Sequence, residues 1–230
     1  MTSPARGGCA ALVLALCAGV ARAAAAACPG HPTMVLERFI PADCEACWQG
    51  TAAADAVSPR TMVLDWIVPA ADDAPMAAAA LPEARERAAG APRHPDSDPP
   101  TRRRAHALLA RGPSLRVIHG PAWNGYIAVR LTVSRPGRLP PGAAAYVALV
   151  ERVPAGSEGS AITRQLVRAA VGPLSPAELA REAPVEHLRA VRVPETHWPE
   201  RLGSVAWVET ADGRVIAAAR ALPPGCPPLR

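Results

Sequence analysis

The feature that most constrains this chain is an apolar strand that runs straight into a C-x-x-C pair. The segment is Thr33–Trp48, TMVLERFIPADCEACW, and its two cysteines are Cys44 and Cys47. Side chains three residues apart on a helix lie on one face, close enough for the short geometry that a disulfide requires. The segment therefore predicts a strand followed by a helix that begins at the first cysteine.

The chemistry that such a pair supports is thiol–disulfide exchange, with Cys44 and Cys47 as the catalytic residues. At the start of a helix Cys44 lies among unpaired backbone N–H groups, which favour its thiolate, so it is the expected attacking thiol. Cys47, one turn further along, would resolve the mixed disulfide. The flanking Asp43 and Glu45 disfavour a further negative charge, and the pair is therefore expected to be a weak oxidant.

Two other roles for the C-x-x-C pair remain open from the sequence. The cysteines can form a small structural disulfide that only stiffens the start of the helix, in a protein that binds rather than catalyses. They can also form part of a metal clip, although a C-x-x-C pair with no second ligand pair is weak evidence for zinc. The sequence predicts no metal site and no cofactor site.

The N-terminal residues carry the pattern of a secretory signal peptide. Arg6 is followed by the apolar run Ala10–Val20 and by small residues up to Ala27. The run is too short for a confident membrane span, so residues 1–27 are expected to be removed on export to the periplasm of a Gram-negative bacterium. Cleavage after Ala27 would leave Cys28 as the first residue, which is the basis of a lipoprotein alternative.

The mature chain would keep four of the six cysteines, namely Cys28, Cys44, Cys47 and Cys226. An even number in an exported chain predicts disulfides, and four cysteines allow three connectivities. In one of them Cys44 pairs with Cys47, and Cys28 pairs with Cys226 as a structural disulfide that joins the two ends of the mature chain. Closing so long a loop is worth about 4–5 kcal/mol in the chain-entropy model.

The segments after the dithiol continue an α/β pattern. Thr61–Val68 is a nearly continuous apolar run, so strand, helix and strand form a right-handed βαβ unit, with the helix extending to about Val57. Asp65 within this run is either a buried proton acceptor for the dithiol or a residue at an exposed strand edge. Ala74–Ala89 is helical in composition and is expected to kink or split at Pro82.

The next two stretches are a loop and a helix by composition. Ala91–Pro100 is too rich in Pro, Asp and Ser to be other than loop. Thr101 then caps a predicted short helix, RRRAHALLAR, with Arg102–Arg104 on its wet side.

From Pro113 the pattern changes to alternating short strands, which are typical of a β-sandwich. Asn124-Gly125 between two of them is a strong hairpin signal. Arg164 and Arg168 are expected to point outward from their strand. The predicted strands are Leu115–His119, Tyr126–Ser134, Ala144–Val153, Ala161–Val171, Leu188–Val193, Ser204–Thr210 and Arg214–Ala221.

Several segments together resemble a family of secreted bacterial proteins of unknown function, in which a thioredoxin-like N-terminal region precedes a β-rich C-terminal region. The segments are VLERFIPADCEACW, VLDWIV, AYVALVERV, ITRQLVRAAVG and SVAWVETADGRVIAAARA. The resemblance implies export, a two-part architecture and a dithiol at Cys44 and Cys47. It implies no particular reaction.

Thioredoxin-like sites also place a cis-proline opposite the dithiol, where it holds the substrate backbone. The best candidate for this substrate-binding position is Pro113, and the second is Pro121. Neither has a sequence context that fixes the isomer.

The remaining polar residues indicate no other chemistry. His31, His119, His187 and His197 are scattered without metal-pair spacing and are expected on the surface or in loops. His119 can alternatively line a groove with Trp123 and Tyr126. The sequence has no nucleophile elbow, no G-x-G-x-x-G and no P-loop.

The sequence therefore predicts an α+β periplasmic monomer of two domains. Residues 28–112 would form a thioredoxin-like domain and residues 113–230 a β-sandwich-like domain. The expected partner is an envelope protein that exchanges thiols and disulfides with the Cys44–Cys47 pair. Without Arg6 and Arg22 the formal charge falls from +5 to +3, which does not suggest nucleic acid.

Overall fold

Two β-sheets form most of the structure, which is a computed structural model. It describes residues 28–50, 57–92, 101–134, 139–174, 176–179, 181, 183–193, 198–223 and 225–226. The predicted signal peptide, the Ala-rich continuation of the first helix, most of the predicted loop Ala91–Pro100, and His197 lie outside the described residues.

The strands are divided between a larger mixed sheet and a smaller antiparallel one. The seven-stranded sheet has the order β10-β9-β6-β7-β2-β1-β3, and the three-stranded sheet has the order β4-β5-β8. The strands are β1 Met34–Pro41, β2 Thr61–Val68, β3 Arg102–Ala107, β4 Ser114–Trp123, β5 Tyr126–Ser134, β6 Ala144–Val153, β7 Arg164–Leu174, β8 Val185–Arg192, β9 Leu202–Glu209 and β10 Val215–Arg220.

The helices are few and short. The described α-helices are α1 Glu45–Gln49, α2 Pro82–Ala89 and α3 Pro176–Leu179. The predicted split at Pro82 is confirmed, because a 3₁₀ turn at Ala77–Ala79 precedes α2 and Pro82 is the first residue of that helix. None of the described helices has the length and apolar character needed to cross a membrane.

The predicted βαβ order is confirmed at the start of the chain. β1 pairs in parallel with β2, and α1 follows β1 at the point where the C-x-x-C pair begins. Both strands are buried along most of their length, which agrees with their nearly continuous apolar sequences.

The predicted helix over RRRAHALLAR is wrong, because β3 (Arg102–Ala107) pairs antiparallel with β1. β3 supplies hydrogen-bond partners to the backbone groups at the edge of β1. This long-range pairing outweighs the helix propensity of Arg and Ala. The arginines find acceptors locally: Arg102 Nη1 donates to the carbonyls of Ala88 and Ala91, and Arg104 Nη2 donates to that of Arg87.

Strands from both sides of residue 112 lie in the larger sheet. β2 pairs in parallel with β7 through Asp65 and Leu166, and β6, β9 and β10 continue the sheet from there. The smaller sheet packs on this C-terminal part, and their facing side chains form one apolar cluster that includes Val129, Leu131 and Leu149. The β-rich architecture therefore begins within the N-terminal βαβ unit.

The hairpin predicted at Asn124-Gly125 is confirmed. β4 and β5 pair antiparallel up to Trp123 and Tyr126. Asn124 and Gly125 have φ values of 47° and 76°, the left-handed conformations that a tight two-residue hairpin turn needs.

Candidate functional site

The dithiol lies at the end of β1, where the strand passes into α1. Cys44 and Cys47 form a disulfide with a Cα–Cα distance of 5.3 Å. Cys44 is the N-cap residue of α1, and its Sγ accepts a hydrogen bond from the backbone N–H of Cys47 at 3.3 Å. Because α1 has only five residues, we expect this single N–H to stabilise a Cys44 thiolate more than the macrodipole of the helix does.

The two cysteines differ in their access to solvent. Cys44 is partly exposed, and its neighbours Asp43 and Glu45 are exposed, whereas Cys47 is only 6% exposed. A partner protein can therefore reach Cys44 but not Cys47. The sequence predicted Cys44 as the attacking thiol and Cys47 as the resolving thiol, and the difference in exposure is compatible with those roles.

Trp48 anchors α1, the helix that carries Cys47. Its indole Nε1 donates to the carbonyl of Glu158 at 2.7 Å, and its ring packs in an apolar cluster with Ile67 and Leu166. Because Glu158 lies between β6 and β7, this bond ties the dithiol helix to the C-terminal part of the larger sheet.

Arg164 lies buried behind α1 and caps its C-terminal end. Its Nη2 donates to the carbonyls of Cys47, Trp48 and Gly50, at 3.1 Å for Cys47 and 3.2 Å for Gly50. The last carbonyls of a helix have no intrahelical partner, and a guanidinium can satisfy several of them at once.

The prediction that Arg164 and Arg168 point outward is therefore wrong. Arg164 is 1% exposed and Arg168 is 8% exposed in its side chain, where it bonds the buried Glu151 at 2.6 Å. The sequence alternation did identify the strand. It could not show that both faces of β7 are covered.

Burial dominates the electrostatics of Arg164. It lowers the pKa of the guanidinium to about 10, an effect that Asp65 opposes and that Arg38 and Arg103 reinforce. The Nη1 group lies 3.8 Å from Asp65 Oδ1. Arg164 thus remains charged at neutral pH and places a cation directly beneath the dithiol helix.

Asp65 joins three strands through its carboxylate. It accepts hydrogen bonds from Arg38 Nε at 2.6 Å, from Arg38 Nη2 at 2.8 Å and from the backbone N–H of Gln165 at 2.6 Å. The side chain is fully buried, so the exposed-edge interpretation is wrong. The carboxylate is fully engaged, which makes it a structural partner of Arg38 and not a free proton acceptor.

Pro113 lies away from the dithiol in the fold. It immediately precedes β4 of the smaller sheet, and the adjacent Gly112 lies beside Leu109 and the carbonyl of Ile216 in β10. The bonds before Pro113 and Pro121 are trans, and the cis bond within the described residues is Gly172–Pro173, at the far end of β7. The antiparallel neighbour of β1 is β3, which the sequence assigned to a helix.

The sequence also did not identify a buried ionic network on the β1 and β3 strands. Glu37 accepts hydrogen bonds from Arg87 Nε at 2.8 Å and from His106 Nε2 at 3.1 Å. His106 Nδ1 accepts from the backbone N–H of Val215, so the ring proton lies on Nε2. Arg87 also bonds Glu209 at 3.0 Å. The network links β1, β3 and α2 to β9 and β10.

The charge of Glu37 is stabilised by these contacts. Burial alone would raise the pKa of Glu37, but the hydrogen bonds and charges of His106 and Arg87 lower it overall. The only sequence signals were an isolated Glu within an apolar strand and a His within the Arg-rich run.

The histidines were only partly predicted from the sequence. His187 is buried, which contradicts the expected surface position. His119 Nδ1 lies 2.7 Å from the Ser204 hydroxyl, so its hydrogen-bond partner is in β9. Among the described residues, no group of three or more His, Cys, Asp or Glu side chains has metal-binding geometry.

The second disulfide joins Cys28 to Cys226 across a sequence separation of 198 residues. It holds the first described residues against the last, beside the end of β10. The described residues therefore carry two disulfides, one local and one that closes nearly the whole described fold.

No family model and no curated protein matches this chain. Its structure is similar to that of HBP35 of Porphyromonas gingivalis, with a TM-score of 0.53 and 11% sequence identity. The likeness covers 87% of this chain and 80% of that protein. At this identity it is evidence for a shared fold only.

Proposed function

We propose that this protein exchanges disulfides with a partner protein through Cys44 and Cys47. The observation that carries the proposal is the asymmetry of the pair: a partly exposed Cys44 at the N-cap of α1 is bonded to a buried Cys47. An exposed sulfur that can be attacked and a buried sulfur that can leave are the two parts that exchange needs.

The oxidised pair would act on a partner that carries two thiols. A partner thiolate attacks Cys44 Sγ, forms a mixed disulfide and releases Cys47 as a thiolate. The second partner thiolate then attacks the partner sulfur of the mixed disulfide and releases Cys44 as a thiolate. The partner loses two electrons and two protons in total, and the Cys44–Cys47 disulfide becomes a dithiol.

The surrounding residues support this chemistry in different ways. The N–H of Cys47 remains available to stabilise a Cys44 thiolate, a contact worth about 1.5–3 kcal/mol to a charged acceptor. Arg164 holds the carbonyls at the other end of α1, so it positions the helix without touching the sulfurs. Asp43 and Glu45 act against the thiolate, and a weakly oxidising pair is still expected.

Export is part of the proposal. The signal pattern of residues 1–27 and the Cys28–Cys226 disulfide both fit a mature protein in an oxidising compartment, here the periplasm. There Cys44 would meet envelope proteins as substrates.

A second function follows if the Cys44–Cys47 disulfide is only structural. Its support is that α1 is bound firmly by Arg164 and Trp48, and that the prolines proposed to hold a substrate are not beside the dithiol. The protein would then be an envelope binding module without catalytic activity.

Insulin reduction in the presence of dithiothreitol separates the two functions. The wild type is expected to accelerate precipitation of the insulin B chain, and Cys44→Ser is expected to abolish the acceleration. The double variant C28S/C226S is the matched control, since it removes the other disulfide and should keep the activity. Equal rates for the wild type and Cys44→Ser would instead support the binding module.

A further inference from the structure

A cleft lined by arginines lies beside the start of β2. It consists of two cavities of ≈ 420 Å³ and ≈ 620 Å³, both lined by Arg220 and Pro223, and we call the two together the Arg220 cleft. Thr61, the first residue of β2, lines the smaller cavity, whereas α1 follows the opposite end of the neighbouring parallel strand β1. The length of β2 separates the two ends by about 25 Å.

Among the described residues Arg220 has few hydrogen-bond partners. Its Nη2 donates to the carbonyl of Thr61 at 3.2 Å, and its Nε is buried without a hydrogen-bond acceptor. Within the described part of the chain no carboxylate forms an ion pair with it. Arginines that are buried elsewhere do have such partners, for example Arg87 with Glu37 and Arg168 with Glu151.

This isolation carries a free-energy cost. Burial lowers the pKa of the Arg220 guanidinium, with no nearby charge acting against it. The hydroxyl of Thr61, which is 6% exposed and lines the smaller cavity, is also buried without a hydrogen-bond partner. Buried polar groups normally have partners, and both of these groups belong to residues that line the smaller cavity.

The charges around the cleft are mostly positive. Arg152, Arg201 and Arg220 line the smaller cavity, whose described lining contains no carboxylate. Arg201 is paired with Glu158, but Arg152 has no ion pair with a described residue. The larger cavity adds Arg116, and the one carboxylate in its described lining, Glu186, faces Arg130 at 3.5 Å. A concave surface with excess positive charge attracts anions.

The floor of the smaller cavity is apolar. Met62, Val150, Leu202 and Val205 line it, and each is buried. A ligand that fits must therefore combine an anionic end with an apolar body. The cavity volumes lie in the range of about 300–1,000 Å³ that is usual for small-molecule sites.

We propose that the Arg220 cleft binds an amphipathic anion, with its carboxylate or phosphate group at Arg220 and its apolar chain over Met62, Val150 and Leu202. The anion supplies the acceptor that Arg220 lacks, and the chain covers the apolar floor. This site is independent of the dithiol, because it uses none of the same residues.

Titration calorimetry with four six-carbon probes tests the head group on the full mature protein. The probes are hexanoate, hexyl phosphate, hexylamine and 1-hexanol. The site predicts binding of one or both anions and none of the amine. A preference between hexanoate and hexyl phosphate distinguishes the two sources of the anion, and acetate and inorganic phosphate show whether the apolar chain is needed. Equal binding of hexylamine and the anions would overturn the proposal.

Variants then assign the binding to Arg220. Arg220→Gln should weaken binding by about ten- to a hundredfold, the value of a charge-assisted hydrogen bond, and Arg220→Lys should restore part of it. Arg85→Gln is the matched control, because Arg85 is an exposed arginine that also bonds one carbonyl. Unchanged anion affinity in Arg220→Gln would refute the site.

A variant of the exposed Arg152 tests the site even if Arg220→Gln does not fold. Arg152 is exposed, so Arg152→Gln should fold normally and weaken anion binding by about two- to fivefold through lost charge. If the affinities of Arg152→Gln and the wild type are the same while Arg220→Gln is unfolded, the cleft is not the anion site.

Discussion

Arg164 is fully buried and Arg220 is half-buried, and the two differ in how many hydrogen-bond acceptors the rest of the chain gives them. Arg164 donates to three carbonyls and the Ser160 hydroxyl, stacks over the Trp48 ring at 5.2 Å and faces Asp65. Arg220 donates to one carbonyl and has no carboxylate partner among the described residues. Burial lowers the pKa of both.

The difference shows that the role of a buried arginine depends on whether its own chain supplies its hydrogen-bond acceptors. A guanidinium whose acceptors all come from its own chain holds the fold together, and here it holds the helix that carries the dithiol. One that lacks acceptors has a desolvation cost that a ligand can offset. The same residue type thus supports positioning at one end of the larger sheet and recognition at the other.

The largest effect is expected from Arg164→Leu. Removing the guanidinium leaves the carbonyls at the end of α1 without donors and removes a cation facing Asp65, so the free energy of unfolding should fall by about 3–5 kcal/mol. Urea unfolding followed by tryptophan fluorescence measures it. Arg164→Lys, which keeps the charge but not the fork of donors, should lose less. A loss below about 1 kcal/mol for Arg164→Leu would show that the cap is not structural.

A smaller, pH-dependent effect is expected from Glu37→Gln. The pKa of Glu37 is lower in the folded protein than in the unfolded chain, so its contribution to stability is complete above the unfolded value of about 4.3 and is lost as the pH falls through the folded value. The variant should be about 1–3 kcal/mol less stable at pH 7. Its stability should also fall less steeply than that of the wild type as the pH drops below about 4.3. Parallel pH profiles would contradict the ionised Glu37–Arg87–His106 network.

The smallest effect on stability is expected from Arg220→Leu. The variant loses one hydrogen bond to Thr61, but it no longer buries an unpaired charge. These two effects oppose each other, so the free energy of unfolding should change by no more than about 1 kcal/mol. The comparison with Arg164→Leu under identical urea conditions is the measurement. If both variants lose similar stability, the contrast between the two arginines fails.

Local patterns in the sequence were enough to predict several parts of the fold. The apolar runs of β1 and β2 gave a parallel pair, Asn124-Gly125 gave the hairpin, and Pro82 gave the start of α2. The C-x-x-C pair likewise predicted a helix that begins at Cys44 and a disulfide between Cys44 and Cys47. Each of these depends on residues that are close together in the sequence, where periodicity and turn chemistry are informative.

The errors came from contacts between distant segments. Arg102–Ala107 has helical composition, but the open edge of β1 recruits it as a strand. Arg164 bonds the carbonyl of Cys47, 117 residues away, and Arg168 bonds the buried Glu151 of the neighbouring strand. Charge alone therefore wrongly suggested that both arginines are exposed. Nothing in a single sequence indicates that β2 and β7 are adjacent, and the path of the larger sheet depends on that pairing.

The reactivity of the two cysteines tests the proposed exchange chemistry most directly. Cys47→Ser and Cys44→Ser each leave one free thiol in the pair, and both keep the Cys28–Cys226 disulfide. With oxidised glutathione at neutral pH, mass spectrometry should show adduct formation at Cys44 at least about tenfold faster than at Cys47, because Cys44 is more exposed than Cys47 and its thiolate accepts the Cys47 N–H. Equal rates, or faster reaction at Cys47, would contradict the account.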